Sequence, residues 1–221
     1  MKMLQLILDW SEAWAPVVAL IVVLIYPKQP RYLRPVIIYL IIAFTINLFG
    51  DIIGAFRRNF PHWLQTNNYL YNVHSIIRFI CFTVFFNLIL PQFSRARRVL
   101  SILAGIFLLI NFIFFEQFFN FMSFSSRLLT VEAALLLLYC LQYYFYRLQD
   151  DDPSSRRKPD IWVVTGLCIY VVINFFIFLF YTTLIERNYT QFAMWIWNVH
   201  NISYIVLCIL LAKAFYDPAR S

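Results

Sequence analysis

Apolar residues run in long stretches along this chain, separated by short polar clusters that hold most of the charge. Seven stretches approach or pass the roughly 18 residues a helix needs to cross a ~30 Å hydrocarbon layer. They lie near 10–26, 36–56, 68–90, 99–115, 128–146, 161–185 and 190–212. A membrane β-barrel needs strands that alternate apolar and polar residues. Ile102 to Phe115 and Tyr170 to Tyr181 do not alternate. The pattern therefore predicts an all-α polytopic membrane protein with seven transmembrane helices forming a single domain over residues 1–221.

Composition agrees, with 62% hydrophobic and only 13% charged residues, far from the balance of a water-soluble domain. The formal charge of +7 matters through its placement. Lys28, Arg31 and Arg34 follow the first stretch, Arg95, Arg97 and Arg98 the third, Arg147, Arg156, Arg157 and Lys158 the fifth, and Lys213 and Arg220 the last. The opposite side holds only Lys2, Arg57, Arg58, Arg127 and Arg187. By the positive-inside rule this predicts an N-terminus outside and a C-terminus in the cytoplasm. Headgroup anchoring accounts for these basic residues, so no nucleic-acid partner is expected. Cys81, Cys140, Cys168 and Cys208 all fall inside apolar stretches, which predicts no disulfide framework. Asp9 and Glu12 precede the first stretch without a small-residue cleavage site, which argues against a cleaved signal peptide.

An internal echo sharpens the picture. Asn72-Val73-His74 in the third stretch returns as Asn198-Val199-His200 in the seventh, at an offset of 126. Tyr69 and Tyr71 then align with Trp195 and Trp197, and Asn47 aligns with Asn174 at an offset of 127. Two parallel three-helix repeats, 10–90 and 128–212, joined by the helix at 99–115, fit this pattern. The topology resembles the three-plus-one-plus-three arrangement of the SWEET and PnuC transporters.

Ionisable residues inside a membrane cost at least ~2.5 kcal/mol on insertion scales and face the bundle interior. Asp51, His74, Arg78, Glu132 and His200 qualify, and all fall in the outer half of the predicted bundle when depth is counted at ~1.5 Å per residue. His74 and Arg78 share a helix face at a spacing of four, and Asn198 and Asn201 at a spacing of three. Arg78 is expected to pair with Asp51 or Glu132. The predicted ligand pocket is Asp51, His74, Arg78, Glu132, Asn198, His200 and Asn201. Two histidines near neutrality also invite pH sensing. Asp51, His74, Glu132 and His200 could alternatively hold Zn²⁺ with an open position for water. The seven-helix hydrolases that include alkaline ceramidases place a second His in the last helix, where this chain has Ser203 and Tyr204. Retinal would need a Schiff-base lysine near the middle of the last helix, but Lys213 falls at its end.

Asn111 to Glu116, Ser125 to Glu132, Tyr143 to Leu148 and Trp197 to Tyr204 resemble a family of small bacterial seven-helix integral membrane proteins. The resemblance implies a bacterial inner-membrane location and carries over no catalytic residue. The expected function is a sensor-like receptor or transporter with an outward-facing polar pocket for a small-molecule ligand. Its partners would be the bilayer and a cytoplasmic or membrane protein. A zinc-dependent intramembrane hydrolase acting on lipids and a structural membrane subunit are the alternatives. Phe112 to Phe124 is read as a lid or a segment inserted among headgroups.

Overall fold

The computed structural model describes residues 2–61, 68–90, 105–106, 126–149 and 159–217, and these are helical without strands. Seven helices are described: α1 (Lys2–Asp9), α2 (Ser11–Ile25), α3 (Arg34–Ala55), α4 (Asn68–Ile89), α5 (Ser126–Leu148), α6 (Asp160–Glu186) and α7 (Thr190–Tyr216). Five stretches, 31–55, 70–89, 126–148, 160–186 and 190–216, are long and apolar enough to cross a membrane. The helices are those compatible with an integral membrane protein.

Two differences from the sequence reading are informative. The first stretch is a 15-residue helix, α2, about 22 Å long at 1.5 Å per residue. It is preceded by a separate amphipathic helix, α1, that the hydropathy pattern did not single out. The stretch at 99–115 lies outside the described residues apart from Gly105 and Ile106, as does Phe112 to Phe124.

Six helices close into a ring in chain order: α2 packs on α3, α3 on α4, α4 on α5, α5 on α6, α6 on α7, and α7 returns to α2. Neighbours run antiparallel at most joins. Asn174 meets Ser203 while Trp162 meets Asp217 across α6 and α7, and Tyr144 meets Thr165 while Arg147 meets Asp160 across α5 and α6. Two joins are parallel instead. Arg78 meets Glu132 and Phe86 stacks on Tyr139 between α4 and α5. His200 meets Glu12 and Phe215 O accepts from Gln29 between α7 and the α2 segment.

The ring is filled with large side chains, among them Tyr39, Phe82, Phe86, Tyr139, Tyr170 and Phe215. Leu24, Ile38, Ile41, Phe145, Phe176 and Ile202 face outward, as expected where the surrounding medium is as apolar as the core. α6 and α7 pack tightly at Gly166. A Cβ on Gly166 would lie 3.0 Å from Leu210 Cβ and 3.3 Å from Leu207 Cδ1, whereas one on Gly54 would meet nothing within 4 Å. Gly166→Val should therefore destabilise the protein by about 1–3 kcal/mol through overpacking. Gly54→Ala should be neutral or slightly stabilising because alanine is the better helix former. Thermal denaturation of the purified variants in detergent checks both.

Candidate functional site

Polar residues that a membrane would exclude are gathered toward the end of the ring nearest α1. Glu12, Asn47, Asn72, His74, Ser75, Arg78, Glu132, Asn174, His200, Asn201 and Ser203 are all buried. They organise into two ion-paired groups on opposite parallel joins.

At the α4–α5 join, Arg78 Nε donates to Glu132 Oε1 at 2.6 Å and Nη2 donates to Oε2 at 2.5 Å. This fork matches the carboxylate with two parallel bonds. Ser75 Oγ donates to Glu132 Oε2 at 2.6 Å, and Arg78 Nη1 donates to Tyr170 Oη at 2.6 Å. The predicted pairing of Arg78 with a carboxylate thus takes the Glu132 alternative. Asp51 sits away from it on α3.

At the α2–α7 join, His200 Nε2 lies 2.7 Å from Glu12 Oε1, and Tyr71 Oη donates to Glu12 Oε2 at 3.0 Å. The other imidazole nitrogen, Nδ1, bonds Asn174 Oδ1. Asn174 Nδ2 donates to Tyr170 O at 2.7 Å and to Ser203 Oγ at 2.9 Å. Asn47 Nδ2 donates to the Glu12 carbonyl at 3.1 Å. Four helices besides α2 therefore hold this carboxylate and its histidine in place. Trp197 packs over His200 with ring centroids 4.7 Å apart, and Tyr71 meets Trp197 edge-on at 5.8 Å.

Between the two groups lies an enclosed void with about 10 Å³ of room for the centre of a water-sized sphere, space for about one water. Glu12, Tyr71, His74, Arg78, His200 and Tyr204 are among its walls. His74 stacks flat on Tyr39 at 5.6 Å and 6°. Its Nε2 and the Tyr204 hydroxyl are buried without a hydrogen-bond partner among the described residues. A buried polar atom left unmatched costs about 1–3 kcal/mol, so the void has unspent capacity for a hydrogen-bonding guest.

Of the predicted pocket residues, His74, Arg78 and His200 line this void, and Glu132 reaches it through Arg78. Asn198 and Asn201 do share a face, but that face meets α1: Asn198 exchanges bonds with Gln5, and Asn201 Nδ2 donates to Leu8 O at 3.0 Å. At about 100° per residue, His200 stands some 200° around the helix from Asn198, which turns the imidazole inward as the amide turns out. Asp51 is half-buried, with Oδ2 unpartnered, and is not among the void's walls. The predicted zinc set is not assembled. The described residues hold no group of three or more His, Cys, Asp or Glu placed for a metal. Both His200 nitrogens and both Glu132 oxygens are already engaged.

Glu12 is the main residue that the sequence reading passed over. It stands at the edge of the first apolar stretch, where a charge reads as an interfacial anchor. Asn174 carried one signal, its alignment with Asn47 in the repeat. No protein-family model, curated protein or solved structure matches the chain.

Breaking a buried ion pair from one side leaves an uncompensated charge, at a cost of about 3–5 kcal/mol. Arg78→Met should lower stability by that order, and the double variant Arg78→Met, Glu132→Met should regain most of it. Parallel melts of the two variants in detergent test the pairing.

Proposed function

We propose that this is a multi-pass membrane protein that binds a small polar solute in the void between two three-helix halves, α2 to α4 and α5 to α7, and carries it across the bilayer. The observation that carries the reading is the buried, unpartnered His74 nitrogen, on a residue that lines a void whose walls come from both halves. An apolar core would stay dry and need no such atom.

The arrangement of the halves supports transport. Exchanging α2, α3 and α4 with α5, α6 and α7 maps the parallel α4–α5 join onto the parallel α7–α2 join. It maps His74 onto His200 and Tyr71 onto Trp197, whose rings touch across the centre. Repeats related in this way around a fixed site are what alternating access requires. Because α4 and α5 run parallel, the end of α4 and the start of α5 lie at opposite ends of the ring, which supports the expectation of seven spans.

In this reading the N-terminus lies outside, the C-terminus lies in the cytoplasm, and the membrane is the bacterial inner membrane. The basic loops support that orientation, and the amphipathic α1 suits the outer headgroup layer.

Two measurements test the proposal. In a cysteine-free background, Met3→Cys should react with an impermeant maleimide in intact cells, and Leu148→Cys only after lysis. A thermal-shift panel of small polar metabolites and inorganic cations should contain a solute that raises the melting temperature of the parent, with the shift lost in His74→Gln. The same solute should accumulate in proteoliposomes. Binding without uptake would point to a sensor, and a panel with no response would leave a structural subunit.

A further inference from the structure

We infer that Glu12 and His200 together hold one exchangeable proton and that the void beside them takes a monovalent cation in its place. This rests on the solute-binding reading and assigns that site its substrate class.

Hydrogen-bond bookkeeping fixes the proton count. Ser203 Oγ donates its proton to the His200 carbonyl at 2.7 Å, so toward Asn174 it can only accept. The Tyr170 carbonyl can only accept as well. Both are met by the same terminal atom of Asn174, at 2.9 and 2.7 Å. That atom must be the amide nitrogen, which leaves the amide oxygen facing His200 Nδ1 and requires a proton on Nδ1. The 2.7 Å contact between His200 Nε2 and Glu12 Oε1 needs one further proton between them. Imidazolium with carboxylate and neutral imidazole with carboxylic acid satisfy it equally, and the pair carries no net charge either way. Arg78 and Glu132 also sum to zero. The closed site is neutral with this proton in place and has one excess negative charge once it leaves.

An uncompensated charge in a buried site is costly, so the proton leaves only as another positive charge arrives. The void is suited to receive one. Glu12 has lone pairs beyond those used by His200 and Tyr71, and His74, another of the void's walls, has its Nε2 buried without a described partner. Its water-sized volume fits a small monovalent ion.

The surrounding charges favour the same sign. Asp51 on α3 lies within electrostatic reach of Asp9 on α1 and of Glu12 on α2, and its Oδ2 is buried without a described partner. From α4 come Tyr71, His74 and Arg78, from α6 Tyr170, and from α7 Tyr204. Arg78, the cation among them, is neutralised by Glu132 of α5. One cation enters as one proton departs, and no bond between heavy atoms forms or breaks.

The test uses purified full-length protein in weakly buffered detergent with a pH-indicating dye. Lithium, sodium or potassium chloride should release up to about one proton per chain, and choline chloride at equal ionic strength should release none. Reciprocity requires the cation's apparent affinity to fall up to about tenfold for each unit of pH lowered. Glu12→Gln, checked for retained helicity and monodispersity, should release no proton. Failure of every small cation to release protons from the parent beyond the choline control overturns the inference, whatever the variant does. Stabilisation of that same parent by a neutral solute would leave solute binding standing while the cation assignment falls. No response to any solute or cation removes both.

Discussion

Two carboxylates placed inside an apolar bundle set the terms for the rest of this structure. Neither Glu12 nor Glu132 can remain ionised in such surroundings without a positive partner and further donors. Glu132 finds them in the Arg78 fork with Ser75, whereas Glu12 meets His200 with the proton between them on either group and accepts from Tyr71. The partners need partners in turn, which brings in Tyr170, Asn174 and Ser203. Polar order thus spreads inward from two acids, while the outer face remains free to be uniformly apolar.

Much of the helix layout was legible in the sequence. The stretches at 36–56, 68–90, 128–146, 161–185 and 190–212 end within a few residues of α3 to α7, because a bilayer-length apolar run leaves the backbone few alternatives to helix. Arg78 and Glu132 were legible too, since charges deep in such runs must face inward. Glu12 was not, because hydropathy places it at a boundary and gives no hint that α7 delivers an imidazole there. Asn198 misled for a geometric reason: its spacing from Asn201 identifies a shared face but not which neighbour that face meets. Only the position of α1, itself too short and too amphipathic to register as a span, resolves that.

The same acid is met differently on the two sides of the ring. His74 stands where His200 stands in the aligned helix, yet at the α4–α5 join it is Arg78, one turn further along, that grips the glutamate. His74 is thereby released to stack on Tyr39 and present a bare nitrogen to the void. The arginine fork thus occupies at one join the place that a histidine contact holds at the other, and leaves His74 without that role.

The two parallel joins consequently differ in mechanical character. A guanidinium stays charged at any pH a cell meets, so the Arg78 fork is a permanent rivet between α4 and α5. The α2–α7 join is fastened instead at both of its ends, by His200 on Glu12 and by Gln29 on the Phe215 carbonyl, with amide contacts to α1 beside the first. One join is thus bolted by its polar contacts at a single point, and the other is stitched along its length.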